Sequence, residues 1–218
     1  MRTFYLDSSN FFITTLYVYH WRVLSNDEPQ KWFQLHNSVI NNQIINYKTD
    51  KLGKNCVLAV IQVTQFSTKA VGILQLYSQD QGKSQIIEGH QACFIETTYR
   101  NKTCTVFSYI TRQAVGNVGR LCIAEIGGST FPKSSTDFRF NIEAENDIPV
   151  TLDAGKDHGV LYSLSKDGWL FIFDLFTGTE IYNNRVTVDM VFATVYSERM
   201  KGVVGVNRKG QVLSIFIV

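Results

Sequence analysis

The carboxy-terminal part of the chain alternates apolar and polar positions with a period of two, and glycines interrupt the alternation at regular intervals. In Asp157-His-Gly-Val-Leu-Tyr-Ser-Leu-Ser-Lys-Asp-Gly168 a strand pattern runs into an Asp-Gly turn. Trp169 to Leu175 then returns, and Phe176-Thr-Gly178 turns again into Glu180-Ile-Tyr182. This order predicts a three-stranded antiparallel meander. The same order recurs downstream, where Lys201-Gly-Val-Val-Gly-Val-Asn-Arg-Lys-Gly210 leads into the apolar stretch Gln211 to Phe216. Gly168 and Gly210 stand 42 positions apart, close to the ~40–50-residue period of propeller blades.

Upstream the pattern continues. Cys56 to Val63 pairs with Ala70 to Ser78, and Cys104 to Arg112 with Gly119 to Ile126. Each pair is followed by a short candidate outer strand, Ser84 to Ile87 and Thr136 to Phe140. Phe11 to Thr14 and Leu16 to Trp21 form a further pair, with Lys31 to Gln34 behind it. No segment sustains a helical period over a dozen residues. The interruptions, Leu24 to Gln30, Gly127 to Ser135 and Glu143 to Asp147, have the length of inter-strand loops rather than domain linkers. The expectation is a single all-β domain over residues 1–218, a β-propeller of four-stranded antiparallel blades. A lone meander leaves an apolar face that only its neighbours can cover, so the blades must stack face to face.

Composition narrows the function classes. Twenty-one Lys and Arg against 19 Asp and Glu leave a net charge of +2, so the balance points neither to nucleic acid nor to an anionic membrane surface. Fifteen Phe and ten Tyr against three Pro suit a folded β protein. No apolar stretch approaches the ~20 residues that cross a bilayer. Cys56, Cys93, Cys104 and Cys122 are far apart and sit in or beside apolar runs, which reads as buried, reduced thiols. The sequon Asn101-Lys-Thr103 would matter only in a secreted chain, and Met1-Arg-Thr-Phe4 opens no signal peptide. A cytoplasmic protein is expected.

Catalytic and metal chemistry find no foothold. His20, His36, His90 and His158 are dispersed, without the spacing of a zinc site, and His90 reads as a turn cap between strands. Gly116-Asn-Val-Gly119 and Gly127-Gly128 lack the strand-to-helix setting of a phosphate loop. Glu143, Glu145 and Asp147, just before Pro149, read as a solvated loop rather than an acid and base pair. Trp169, Phe171 and Phe173 alternate on one strand, as core residues do. No enzyme, no metal and no cofactor is expected.

Several blocks carry a family resemblance. Gln43-Ile-Ile-Asn-Tyr-Lys-Thr-Asp50, Leu76-Tyr-Ser with Ile87-Glu-Gly-His90, Glu145-Asn-Asp-Ile-Pro-Val150, Asp174-Leu-Phe-Thr-Gly178 and Gly205-Val-Asn-Arg-Lys-Gly-Gln-Val-Leu-Ser214 occur in collinear order. Together they resemble the amino-terminal β-propeller of the clathrin heavy chain. The resemblance implies about the last five of seven blades, with Gln211 to Val218 in a blade short of its full complement. It implies docking of short linear motifs from adaptor and accessory proteins at the cytoplasmic face of coated pits and vesicles, in endocytosis and intracellular transport. Membrane association would be indirect, with no nucleic acid partner. Clathrin light chain binding and trimerisation would follow only within a longer chain. The alternative is a truncated or degenerate heavy-chain fragment without coat function, and a propeller hydrolase or lyase is the enzyme-class rival.

Two sites carry over from the resemblance residue by residue. A central top-face site for tryptophan-bearing motifs matches at Gln43, Ile45 and Ile61, and a groove between adjacent blades matches at Leu76, Gln85 and Ile87. Around that groove the family's arginine and valine are replaced by Gln81 and Lys83, and a tryptophan by Asn55. The groove between the family's first two blades has no counterpart. On physical grounds Gln43 and Ile45, two apart on a strand, would share one face. An isoleucine there offers an apolar wall, and the glutamine amide can bond a peptide backbone or an indole. The competing reading makes Ile45 and Ile61 core residues and Gln43 a solvated strand end.

Overall fold

In a computed structural model, residues 2–6, 9–13, 16–22, 26–40, 42–62, 71–112, 118–128, 131–139, 147–155, 159–195 and 202–216 are described. They form successive antiparallel meanders in chain order. The first sheet holds β1 (Arg2–Leu6), β2 (Ser9–Ile13), β3 (Tyr17–Arg22) and β4 (Gln30–Gln34). One helical turn, α1 (Asn37–Ile40), leads to the second, made of β5 (Gln43–Thr49), β6 (Asn55–Gln62), β7 (Val71–Ser78) and β8 (Lys83–Glu88). The third contains β9 (Gln91–Tyr99), β10 (Lys102–Arg112), β11 (Val118–Glu125) and β12 (Ser134–Arg139). The fourth contains β13 (Pro149–Gly155), β14 (Val160–Ser165), β15 (Trp169–Asp174) and β16 (Glu180–Arg185). Three described strands, β17 (Met190–Val195), β18 (Gly202–Asn207) and β19 (Val212–Phe216), make the last. These are the stacked propeller-type blades that the repeat predicts, in the incomplete set that the resemblance implies.

The middle strands explain the stacking. On β6, Cys56, Leu58 and Val60 pack toward the first sheet with Val18, Phe33 and Tyr47. The alternate residues Val57 and Ala59 pack the other way, with Ala92 and Phe107 of the third. The fourth sheet repeats the division: Leu161, Phe171 and Phe173 join the core shared with Ile95, Leu121 and Phe138. Tyr162, Leu164, Leu170 and Ile172 join the core shared with Met190, Ala193 and Val203. A period of two thus feeds two cores, one on each side of every interior sheet. Burial fades outward, and β8 and β16 are almost wholly exposed.

The leading strands β5, β9, β13 and β17 stand against one another in sequence and form the hub. Sequence reasoning missed β9, β13 and β17 as strands. Their alternation is blurred because one edge faces a neighbouring leading strand, so polar side chains such as Asp153 belong there. From β5, Lys48 reaches past β9 to β13, where its Nζ donates to the Leu152 carbonyl at 2.6 Å and pairs with Asp153 Oδ2 at 3.2 Å. Cys93 of β9 lies beside this pair, and burial pushes its thiol up to about 12.

Two loop expectations are corrected. Asp147 is fully buried, and its Oδ1 accepts the Asp167 N–H at 2.9 Å, anchoring the entry to β13 on the β14–β15 turn. A buried turn amide needs an acceptor, which overrides the solvated reading of that charge run; Glu143 and Glu145 lie outside the described residues. Ser134 and Ser135, read as loop, belong to β12. The Asp-Gly turn stands as expected: Gly168 has φ 90 and a side chain there would collide with the Thr187 carbonyl, so only glycine fits. At the far end, Val212 is 68% and Phe216 50% exposed on β19, the edge of its sheet among the described residues.

Replacing Lys48 with methionine leaves Asp153 beside a buried thiol without its cation. The expected loss is about 1–3 kcal/mol, since the pair is only partly screened. Urea denaturation of Lys48→Met, Asp153→Ala and the double variant measures it, with the double variant expected to lose less than the sum of the singles.

Candidate functional site

Between the second and third sheets the packing opens into a groove of about 580 Å³. It exists because the sheets meet closely at Val57, Ala59, Leu74 and Phe107 and diverge outward from there. On one wall Leu76 pairs with Gln85 and Leu74 with Ile87 across β7 and β8. This register sets Leu76, Gln85 and Ile87 on one face, and all three line the groove. Lys83 continues the same alternation on β8. On the facing wall, Phe107 pairs with Ala124 and Tyr109 with Cys122 across β10 and β11. Ile126 and Lys133 complete that side.

The chemistry of the groove is apolar with a few polar groups at fixed places. Tyr109 packs beside Phe107, ring centroids 5.6 Å apart and planes tilted by 32°. Its hydroxyl is pushed up to about 12, first by burial and then by its hydrogen bond and electrostatic contact with Cys122, so it stays protonated at neutral pH. The Glu125 carboxylate is engaged, its Oε2 accepting the Phe131 N–H at 2.7 Å. β8 and β12 are the outer strands of their sheets, so their edges flank the opening. An extended peptide fits such a site, with side chains entering the wedge and main chain facing strand edges.

The sequence-predicted inter-blade residues are therefore brought together. Gln81 and Lys83 line the same groove. Asn55 does not: it is buried, and its amide donates to Asp50 Oδ2 at 2.6 Å inside the β5–β6 turn. The facing wall, Phe107, Tyr109 and Cys122, was missed. The strand from Cys104 to Arg112 was legible, but which of its faces fronts the second sheet depends on packing that one strand's pattern does not encode.

The central residues are also adjacent, with one change. Gln43 and Ile61 are direct partners across β5 and β6, and the structure describes Gln43 by its backbone alone. Ile45 is the extra residue of a β-bulge between Ile44 and Asn46, so simple two-residue alternation with Gln43 does not hold. It packs, half-buried, against the core between the second and third sheets. Beside Ile61, Gly72 approaches the β8–β9 connection so closely that a Cβ would strike the Gly89 carbonyl and the His90 ring. Asn46 Nδ2 donates to Gln91 Oε1 at 3.0 Å, tying β5 to β9 at this end. His90 is buried here, and its N–H donates to the Ile110 carbonyl at 2.8 Å.

Among the described residues, no three His, Cys, Asp or Glu side chains converge as a metal site, and no helix is long and apolar enough to cross a membrane. No family model matches the chain. Curated relatives do. The chain is 39% identical over 212 residues to "Clathrin heavy chain 2" of Homo sapiens, covering 94% of this chain and 13% of that protein. It is 35% identical over 212 residues to "Clathrin heavy chain" of Drosophila melanogaster, covering 94% and 12%. It is 35% identical over 211 residues to "Clathrin heavy chain" of Dictyostelium discoideum, again 94% and 12%. The chain thus spans about an eighth of the length of these relatives.

The thiols offer a direct check on the groove. Cys56, Cys93 and Cys104 are buried and their thiols are raised chiefly by that burial, whereas Cys122 is partly exposed on the groove wall. With a chromogenic disulfide reagent at pH 8 the native protein is expected to release one equivalent quickly, from Cys122, and the other three only on unfolding. Cys122→Ser should remove the fast phase.

Proposed function

Because the chain belongs to the clathrin heavy chain family, we propose that it is a docking module that captures short linear motifs of adaptor and accessory proteins in coated-vesicle formation and vesicle-mediated transport. The observation that carries this reading is the groove between the second and third sheets, where Leu76, Gln85 and Ile87 face Phe107 and Tyr109. Its volume suits a few side chains of an extended peptide, and it needs no catalytic group. The work is binding, not turnover.

Each contact is expected to be weak. Burying one apolar anchor contributes ~1.5–3 kcal/mol, against the ordering of a flexible ligand. Affinity of micromolar order or poorer, multiplied by many copies in an assembly, is the working regime. Light chain binding and trimerisation belong to a longer heavy chain, and membrane association is indirect, through the captured partners at the cytoplasmic face of coated pits. The paired positions of Gln43 and Ile61 at the hub support a second docking point for tryptophan-bearing motifs. The rival reading is a heavy-chain fragment without coat function, which predicts no peptide binding at either place.

Fluorescence anisotropy with two labelled peptides separates these readings. A leucine-bearing peptide is expected to lose about tenfold in affinity with Leu76→Ser or Ile87→Ser, the effect of one apolar anchor. A tryptophan-bearing peptide should instead respond to Gln43→Ala or Ile61→Ser. The docking proposal fails if neither peptide binds the parent chain, or if all four substitutions leave both affinities unchanged while the thermal midpoint is retained.

A further inference from the structure

Each interior sheet shares a core with the sheet on either side, and the series does not close. Apolar cores join the first sheet to the second, the second to the third, the third to the fourth and the fourth to the last. Among the described residues no core joins the last sheet to the first. Two sheet faces of the chain are therefore left without one, and they differ in chemistry. On the outward face of the first sheet Tyr19 pairs with Lys31, whose Nζ lies 3.4 Å from the Tyr17 ring centroid. A cation covers that face.

The outward face of the last sheet is different. Leu213 and Ile215 of β19 pack into the core with Val203, which turns the alternate residues Val212, Ser214 and Phe216 outward, where they are exposed. Their register partners on β18 are Val206, Val204 and Gly202, with both valines half-buried. None of these six positions carries a charge. The nearest cations in sequence, Arg208 and Lys209, are exposed beyond one end of the face, in the turn between β18 and β19.

We propose that this face is a self-association surface, on which a second copy of the chain packs the same face across a two-fold axis. Continuity argues for a second copy: the face has the strand spacing and apolar make-up of the interior faces, and those receive another sheet of this same chain. Of the two faces without a core it is the one free of charge among the described residues, so it pairs with itself rather than with the first sheet. The turn cations set the direction. Packing with the strands of the two copies in one direction would bring both Arg208-Lys209 turns to the same end, whereas antiparallel packing separates them. The axis then follows the row of Val204 and Ser214. Each Ser214 meets its counterpart, each Val212 a Phe216, and each bulky Val206 a Gly202, so the face is complementary to itself. Three strands of about five residues make a face of only about 15 Å by 17 Å, well short of a permanent dimer interface. The contact is weak and concentration-dependent.

Sedimentation velocity of the full chain from about 1 to 500 µM tests it, with a monomer–dimer equilibrium expected at a Kd on the order of tens of micromolar. S214K places two like charges at the axis and should weaken the dimer about tenfold or more. Because Ser214 is exposed, its thermal midpoint should be retained. K31E, on the first sheet, should leave the dimer unchanged. In C122S/S214C, where the remaining cysteines are buried, a short bis-maleimide should join two copies through residue 214, and C122S alone should not cross-link. A mass that stays monomeric at every concentration overturns the proposal, as does a dimer indifferent to S214K. Loss of the dimer in K31E, or growth beyond two copies, overturns it in favour of head-to-tail stacking of last sheet on first. The groove takes no part in this contact, so the docking reading stands or falls separately.

Discussion

Every interior sheet of this protein must be apolar on both faces at once, and the remaining features follow from that demand. A sheet exposed to water on one side can alternate apolar with polar. Here β6 and β15 cannot, because successive residues enter different cores: Leu58 one way and Val57 the other, Phe171 one way and Ile172 the other. Removing any one sheet would strip a face from each of its neighbours. Stability is therefore shared between adjacent repeats rather than owned by each, as in other stacked architectures.

The same demand decides what the sequence discloses. Middle strands such as Cys56 to Val63 and Trp169 to Leu175 are continuous apolar runs closed by turn residues, so they are legible without any knowledge of neighbours. The turns are legible because glycine at Gly168 and Gly210 is required by positive φ. The hub strands are not. Gln91-Ala-Cys-Phe-Ile-Glu-Thr-Thr-Tyr99 mixes polar and apolar positions because its surroundings change along its length, from the buried Gln91 to the more exposed Thr98. Asp147 shows the limit from the other side, since nothing local marks a carboxylate that serves a backbone amide twenty residues away.

For the candidate groove, the resemblance supplied one wall and the fold supplied the other. Leu76, Gln85 and Ile87 are separated in sequence yet fall on one face through the β7–β8 register. Phe107, Tyr109 and Lys133 come from the next repeat and join them only through stacking. A wedge between diverging sheets is an unavoidable by-product of arranging flat elements about an axis, so such clefts need no dedicated loops. What individualises this one is its side chains: Lys83 and Gln81 on the rim, and Asn55 withdrawn into a turn.

The reach of Lys48 has a mechanical corollary. Its ammonium fastens the second sheet to the fourth, over the top of the third, through Leu152 and Asp153. The intervening sheet is clasped like a page between two covers. Splaying the second and third sheets apart would stretch that clasp, so the cleft resists widening. A stiff cleft would read the girth of what it accepts, and so discriminate among side chains by width.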